Sequence, residues 1–315
     1  MKSHTLYLFA LDPTHIGAGG YRLGRVDNTI LRDAATGLPK IPGSSISGAV
    51  RAAAIYSLND ARDRQKAKDY ARATLNTKNK EHPHAGGDDP IAKIFGYAEG
   101  DEKGKSPIGD GKSRIGAVSF RDAELFIFPV PTMAGPRWVT TIDRLIAAGC
   151  QDISEAIKEK LKDETRLLVQ KTGNHPNRMN LGWLLLDTQK DDIPLPPLLA
   201  QRSELWHVKQ NLVLAHANLF PSLVNANLET RTSVSLDFET GAAAENLLFT
   251  YEAVPRGALY RATIDFDDQR FPEYCDETAF ALISRALELA CQLGLGGMTT
   301  RGFGRMLPIL EGDHA

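Results

Sequence analysis

The chain has 315 residues, of which 42% are hydrophobic and 24% are charged, and its formal net charge is −2. This composition is typical of a globular protein with a sizeable core, and it excludes a disordered or fibrous chain. The near-neutral charge excludes a protein that coats nucleic acid through a broad basic surface, but it leaves room for a local basic groove.

The cysteines and the apolar runs indicate a cytoplasmic protein without membrane contact. Cys150, Cys275 and Cys291 are far apart and form no CxxC pair, which argues against a thiolate zinc site or a disulfide framework. The N-terminal apolar run is interrupted by Asp12 and Pro13, and no small-residue cleavage pattern follows it. No other stretch approaches the roughly 20 apolar residues that span a bilayer.

The first elements form a strand, a long loop and a helix. Residues 5–11, "TLYLFAL", are bulky and uncharged on both alternating faces, which predicts a strand buried between two layers. The glycine-rich loop "THIGAGGYRLGRVDN" follows. The prolines and glycine of "GLPKIPGSS" then predict a turn after which Ser44 or Ser45 caps a helix. The apolar stripe of this helix leaves Arg51 on another face, free to meet solvent or a ligand.

The middle of the chain alternates polar and apolar segments. Residues 60–115 are charged and glycine-rich, which predicts an insertion with mobile loops. The stretch "GAVSFRDAELFIFPV" predicts one or two strands, and residues 140–170 have helical periodicity. Two strand-like runs in "RTSVSLDFETGAAAENLLFTYEAV" predict a hairpin that projects from the core.

A strand "LYRATIDF", an amphipathic helix over residues 276–296 and a last strand "RGFGRMLPIL" complete the chain. We therefore predict an α+β fold whose element order resembles two β-α-β halves of a ferredoxin-like core. One domain, 1–315, would hold a core of about 1–60, 115–135 and 255–310, the insertion at 60–115, and a helical and hairpin region at 140–255.

Three loops are candidates for binding phosphate through backbone N–H groups: "HIGAGGYRLGRVDN", "IPGSSISGAVR" and "LGLGGMTTRGFGR". The alternative, that the glycines only form turns, stays open for each of them. The third loop lacks the Gly-Lys-Ser/Thr of a nucleotide-binding P-loop and precedes a strand. A grip on the backbone of a long polyanion therefore suits it better than nucleotide hydrolysis.

Asp27 is the candidate catalytic residue, with His15 as its possible partner across the loop. An aspartate in a loop is also a common turn former or ion-pair partner, and a loop histidine is commonly without a catalytic role. Residues 82–89, "HPHAGGDD", match no standard spacing of metal ligands, so we predict no metal site there.

These motifs together resemble the RAMP superfamily. The resemblance runs in order from about residue 5 to residue 308, through "HIGAGG", "GRVDNTILRD", "TGLPKIPGSSISGAVR" and "LGGMTTRGFGR". "SFRDAELFIFPV" and the hairpin "SLDFETGAAAENLLFTYEAVP" are similar to the repeated backbone subunit of type III-B (Cmr) CRISPR effector complexes. "VDNTILRDAATGLPKIPGSS" is also similar to the equivalent type III-A subunit.

The resemblance implies an RRM-like core decorated with a thumb hairpin, and several copies stacked along a guide RNA with other Cmr subunits. Head-to-tail contacts that do not close a ring build such filaments. It also implies an RNase that acts on the target RNA paired to the guide. Since Val26-Asp27-Asn28 matches the family motif, the resemblance assigns target cleavage to Asp27.

The chemistry begins from the RNA itself, whose 2′-OH attacks the adjacent phosphorus once the two are in line with the leaving oxygen. An A-form duplex keeps them out of line, so the thumb would displace a base pair. Leu247, Leu248 and Phe249 are apolar enough for that task, and contact with a neighbouring copy would explain them equally well.

An unperturbed aspartate has a pKa of about 3.9 and is a weak base at neutral pH. Asp27 would therefore need a raised pKa or a divalent ion such as Mg²⁺, which carboxylate and phosphate oxygens hold well. His15 would assist, and Glu252 is a weaker candidate that would reach the site of a neighbouring copy.

Charged and small residues complete the predicted RNA contacts. Three arginines would stabilise charge at the phosphate: Arg22, Arg25 and Arg32. Guide phosphates would lie on the helix start and the C-terminal loop, at Ser44, Ser45, Ser47, Arg51, Gly296, Gly297, Arg301 and Arg305. Such contacts do not depend on sequence, as a protein that accepts any guide requires.

Three alternatives stay open. One is a RAMP scaffold subunit in which Asp27 only shapes its loop, and another is the type III-A subunit. The third is a standalone RAMP endonuclease that processes guide precursors without metal and uses His15 as general base.

Overall fold

The computed structural model describes residues 1–19, 26–57, 90–97, 114–150, 153–236, 239, 243–272 and 275–311. Their strands are β1 (Lys2–Ala10), β2 (Lys40–Ile41), β3 (Gly96–Tyr97), β4 (Arg114–Ile115), β5 (Val118–Phe120), β6 (Ala123–Val130), β7 (Arg137–Thr140), β8 (Arg166–Gln170), β9 (Arg178–Leu181), β10 (Leu184–Asp191), β11 (Leu212–Leu214), β12 (Glu229–Leu236), β13 (Ala243–Ala253), β14 (Leu259–Phe266) and β15 (Met306–Leu310). The α-helices are α1 (Gly43–Tyr56), α2 (Pro90–Phe95), α3 (Ile142–Ala147), α4 (Glu155–Lys160), α5 (Pro197–Ala200), α6 (Trp206–Gln210), α7 (Phe220–Ala226) and α8 (Glu277–Leu293).

One large mixed sheet organises these elements, in the order β15-β1-β14-β6-β7-β11-β8-β10-β9, with β2 on β6 and β5 on β14. The four strands β15, β1, β14 and β6 are antiparallel. Helix α1 lies in the chain between β1 and β6, and α8 lies between β14 and β15. The predicted α+β class is confirmed, and this strand order fits two β-α-β halves lying side by side. The finer ferredoxin-like assignment stays a prediction.

Both faces of the central strands are buried. In β1, Leu6 and Leu8 belong to the core that includes α1 and α8, whereas Tyr7 belongs to a second core with Phe126 and Leu145. Burial on both faces explains why the central part of this strand, residues 6–9, carries bulky uncharged residues at consecutive positions. The same burial raises the pKa of Tyr7 to about 12, mainly through desolvation.

The predicted helical region at 140–170 is wrong in part. Helices α3 and α4 are short, Gly149 with φ 89° follows the first of them, and residues 166–170 form β8. The apolar run of β8 pairs with β10 and β11 inside the sheet. A short apolar run suits a buried strand and a helix equally, so its pairing partners decide the structure. Strands β9, β10 and β11 also extend the sheet within the region 140–255, where we predict only helices and a hairpin.

Several predicted elements have the expected bounds. Strand β14 covers "LYRATIDF", and β12 pairs with β13 as the predicted hairpin. Helix α8 begins after Asp276, whose side chain accepts a hydrogen bond from the Ala279 N–H (2.9 Å), and ends at Gly294 with φ 100°. Most of the predicted insertion at 60–115 lies outside the described residues, and the domain boundaries stay a prediction. Within the described ranges, no helix is long and apolar enough to cross a membrane.

Candidate active site at the base of the hairpin

The outer edge of β13 is closed by the two loops that carry His15 and Asp27. On this edge the Asn28 N–H donates to the Thr250 carbonyl (3.1 Å), and the Glu252 N–H donates to the Asn28 carbonyl (3.0 Å). Thr14 and Val254 exchange two further backbone hydrogen bonds (2.8 and 2.9 Å). An exposed strand edge requires such partners, so both loops are held against the base of the hairpin.

Asp27 is exposed, and Thr250 fixes its carboxylate. Both the backbone N–H and the hydroxyl of Thr250 donate to Asp27 Oδ2, at 2.7 and 3.0 Å. The Asp27 N–H in turn donates to Thr250 Oγ1 (3.1 Å). Three hydrogen bonds thus tie this loop residue to a strand that lies 223 positions further along the chain.

These hydrogen bonds also set the charge of Asp27. The Thr250 N–H, and then its hydroxyl, stabilise the anion and lower the pKa of the Asp27 carboxyl below its ordinary value. This direction is opposite to the one that would make Asp27 a base. An ionised carboxylate beside a phosphate suits the binding of a cation.

His15 is 6% exposed and is held on the same edge. Its Nδ1 lies 2.6 Å from the Glu252 carbonyl oxygen, which only accepts, so Nδ1 carries the proton and Nε2 is the nitrogen able to accept one. The ring meets Tyr251 edge to face, with centroids 6.3 Å apart. Thr250 holds Asp27 and Glu252 holds His15, so both groups lie on the same edge of β13, two residues apart. Among the described hydrogen bonds none joins His15 to Asp27.

Arg32 and Glu252 form an ion pair, with Nη2 2.7 Å from Oε1. The other carboxylate oxygen of Glu252 accepts the Ile30 N–H (3.2 Å), and Arg32 Nε donates to Asn225 Oδ1 (2.9 Å). These contacts hold the Asp27 loop between β13 and α7. Both side chains therefore already have partners within the chain. The roles predicted for Arg32 at a phosphate and for Glu252 in a neighbouring copy stay predictions.

Helix α1 does not begin with a serine cap, so the predicted capping by Ser44 or Ser45 is wrong. The helix starts at Gly43, whose N–H donates to Asp122 Oδ1 (2.9 Å), a residue of the β5–β6 turn. Ser44 and Ser45 are exposed in the first turn and Ser47 is half-buried. The Asp122 carboxylate thus accepts the hydrogen bond at the start of α1 that we predict for a serine hydroxyl. It lies at the N-terminal end of α1, where we also predict a guide phosphate.

Lys40 Nζ lies 2.7 Å from Asp122 Oδ2, and its hydrogen bond lowers the pKa of Asp122, as does the Gly43 N–H. We expect Asp122→Ala to lower the free energy of unfolding by about 1 kcal/mol at pH 7, since a helix-start acceptor and a solvent-screened ion pair are lost. A carboxylate whose pKa is depressed on folding stabilises above its unfolded pKa and loses that contribution as the pH falls through the folded value. The difference from wild type in urea unfolding should therefore shrink below about pH 4, and a difference that grows there would contradict this account.

The C-terminal loop packs against the His15 loop and the hairpin. The Gly297 N–H donates to the His15 carbonyl (2.9 Å), and a Cβ at Gly296 would lie only 2.5 Å from that oxygen. These glycines therefore permit close approach of two backbones, and their predicted phosphate contacts stay predictions. Arg301 is exposed, with its guanidinium 5.9 Å from the centroid of the Phe249 ring, and Arg305 pairs with Asp12 (3.1 Å).

The hairpin presents an apolar pair to solvent. Leu248 is 64% exposed and lies opposite Val234, which is 45% exposed. Phe249, predicted as part of the thumb, is instead half-buried and packs with Met298 against the cluster that contains Tyr251. Exposed apolar side chains on a projecting hairpin suit contact with RNA bases or with another subunit.

Three predicted residues cannot be placed from the structure, because Arg22, Arg25 and the side chain of Leu247 lie outside what it describes. Arg51 is half-buried in α1, and its Nε is buried, so its side chain is less accessible to solvent than we predict; its predicted contact with a ligand stays a prediction. The main residues that the sequence did not reveal are Thr250 and Asp122. Both lie within the motifs that carry the resemblance, but nothing in those motifs shows which residue each of them contacts; the polar threonine in the run "LLFTYEAV" is a weak signal for Thr250.

A metal would have to be shared with RNA. In the described parts of the chain, no group of three His, Cys, Asp or Glu side chains is placed to hold an ion. Asp27 offers one fixed, ionised carboxylate, and Mg²⁺ in phosphate chemistry commonly takes one or two carboxylates plus phosphate oxygens and water. The residues fit that arrangement and do not form a closed metal cage.

The fold and this loop-bearing hairpin define a class of proteins. Residues 8–306 match the RAMP superfamily, and the chain belongs to it. A curated relative, the CRISPR system Cmr endoribonuclease Cmr4 of Pyrococcus furiosus, is 23% identical over 276 residues, which cover 84% of this chain and 81% of that protein. The predicted resemblance to the Cmr backbone subunit is thereby confirmed.

Solved structures share the fold over nearly the whole length. A chain of the type III-B Cmr-beta complex in its apo state has a TM-score of 0.63 at 16% identity, with 99% of this chain and 98% of that chain covered. Oligomeric Cmr4 from Pyrococcus furiosus has a TM-score of 0.56 at 20% identity, with 99% and 98% covered.

Proposed function

We propose that this chain is a guide-RNA-binding backbone subunit of a type III-B CRISPR complex, repeated along the guide, that cleaves the paired target RNA. The observation that carries the proposal is the exposed, ionised Asp27 fixed by Thr250 at the base of a hairpin with exposed apolar residues. The relatives support it, since Cmr4 is named as an endoribonuclease, one structure is oligomeric Cmr4, and another is Cmr-beta bound to cognate target RNA.

In the proposed mechanism, the hairpin aligns the RNA for attack and Asp27 supplies the charged group at the phosphate. The exposed pair Val234 and Leu248 would displace a base pair of the guide–target duplex, so that the target backbone rotates and its 2′-OH comes into line. Asp27 would lie beside the released phosphate, held by Thr250, which is two residues from Leu248 on β13. As the 2′-oxygen bonds to phosphorus and gives up its proton to His15 Nε2 or to water, the bond to the 5′-oxygen would break and that oxygen would take a proton from water. A divalent ion, when bound there, would neutralise charge on the phosphate oxygens.

His15 would take part in this reaction from its place beside Glu252, two residues beyond Thr250 on β13. Its Nδ1–H is committed to the Glu252 carbonyl, so Nε2 would accept a proton or a hydrogen bond from the RNA.

Metal removal tests this proposal. We expect a chelator to reduce target cleavage by the assembled complex at least about 100-fold, because without the cation the negative Asp27 carboxylate would add to the negative charge of the phosphate instead of offsetting it. Mg²⁺ should restore the rate, while a gel shift shows that target RNA stays bound throughout. Full cleavage in the chelator, or cleavage of repeat RNA by the isolated chain in chelator, would favour the metal-free endonuclease instead.

A further inference from the structure

We infer that Thr250 is the positioning residue of the cleavage site: its hydroxyl and N–H aim the Asp27 carboxylate, so that one hairpin carries both the base-displacing pair Val234 and Leu248 and the anchor that orients the catalytic group. This inference rests on the proposed function, since it assigns Thr250 a part in the same reaction.

The hydrogen-bond pattern is the first support. Oδ2 of Asp27 receives both donors of Thr250, while Thr250 Oγ1 also accepts the Asp27 N–H. A hydroxyl has one donor and two acceptor positions, so the threonine oxygen is used in both senses with the same residue. The two bonds to Oδ2 set the plane of the carboxylate and leave Oδ1 as the oxygen to present to RNA or a cation.

The rigidity of the anchor is the second support. Threonine is β-branched and stiff about χ1, so Oγ1 is held in place by the backbone of β13. That backbone is bonded on both sides, since Thr250 is paired with Thr232 of β12 and its carbonyl accepts the Asn28 N–H. The Asp27 carboxylate, although it lies on an exposed loop, is thereby held as firmly as a residue on a paired strand. A catalytic group has to be fixed in this way to stay aligned with the reacting atoms.

A purely structural role would predict different consequences. The pairing of β12 with β13 runs through backbone groups, which replacement of the Thr250 hydroxyl leaves in place. Thr232 stands directly opposite Thr250, is exposed, and has no described hydrogen bond to Asp27. Removal of the hydroxyl at Thr232 or at Thr250 changes the hairpin similarly, but only the change at Thr250 removes a hydrogen bond to Asp27.

The test compares three variants in the assembled complex: Thr250→Val, Thr250→Ser and Thr232→Val. We expect Thr250→Val to lower the single-turnover cleavage rate about 10- to 100-fold at unchanged target affinity, since small displacements of a catalytic group have costs of this order. Thr250→Ser should recover the rate to within about 3-fold, because the hydroxyl is kept. Thr232→Val should match the wild type.

Two outcomes would overturn the inference. One is wild-type cleavage by Thr250→Val, and the other is a Thr250→Ser variant as slow as Thr250→Val, which would assign the effect to side-chain volume. Melting temperatures of the three variants identify any general loss of folding. Asp27→Asn in the same experiment separates the two levels: if it also cleaves at the wild-type rate, the proposed function fails, and if it alone is inactive, only the role of Thr250 fails.

Discussion

Asp27→Asn is expected to abolish target cleavage by the assembled complex, while guide and target RNA stay bound. The amide has the shape of the carboxylate and still offers an oxygen to the Thr250 N–H, but it carries no charge. An amide is a much weaker ligand for a divalent cation than a carboxylate, and loss of the cation beside the phosphate would lower the rate by about 100-fold or more. Single-turnover cleavage and a gel shift on the same samples measure the two properties separately.

Asp33→Asn is the matched control, because Asp33 is a partly exposed carboxylate in the same loop segment. Its Oδ1 accepts the N–H groups of Ala35 and Thr36, so it shapes a turn and makes no contact that would place it at the phosphate. We expect its cleavage rate to remain near that of wild type. Unimpaired cleavage by Asp27→Asn would favour the scaffold alternative, in which Asp27 shapes its loop as Asp33 does.

Gly43→Ala is expected to destabilise the protein by roughly 3 kcal/mol or more. Gly43 is the buried first residue of α1, and a Cβ there would lie 2.0 Å from the Phe120 carbonyl oxygen and 2.9 Å from its carbon. Both atoms belong to the backbone of β5 and have no rotamer by which to move aside. The start of α1 would have to shift away from the sheet, and thermal unfolding should show a clear decrease in melting temperature.

Gly48→Ala, one turn further along the same helix, is the control for this prediction. Nothing lies within 4 Å of a Cβ at Gly48, so alanine should stabilise the helix by up to about 1 kcal/mol. The two substitutions are chemically identical and should change the melting temperature in opposite directions. Equal melting temperatures for the two variants would show that the close contact of α1 with β5 is not present in solution.

The local residue pattern is sufficient to predict strand β14 and the hairpin of β12 and β13. "LYRATIDF" and the two runs of the hairpin are strands because they combine β-branched and aromatic residues with turn residues at their ends. The strand β8 was missed because "RLLVQ" is short and apolar, and only its place beside β11 makes it a strand. In the same way, Asp122 and not a serine meets the first N–H of α1, since the acceptor is supplied by tertiary structure.

The candidate site shows the same limit. Asp27 was identified through a family motif, and its surroundings could not be read from the sequence because Thr250 is 223 residues away. The consequence reaches the chemistry, since those hydrogen bonds lower the pKa of Asp27 where a catalytic base would need it raised. The glycines at 296 and 297 are a similar case, because their close approach to His15 becomes visible only in three dimensions.

The central claim is that each copy of this chain cuts the target once, through its own Asp27. Complexes assembled from wild-type and Asp27→Asn chains in known ratios, given a fully paired target, test it directly. The account predicts a ladder of evenly spaced cuts whose every band weakens in proportion to the variant fraction while the spacing stays fixed. An unchanged ladder from a complex built only of Asp27→Asn chains would contradict it.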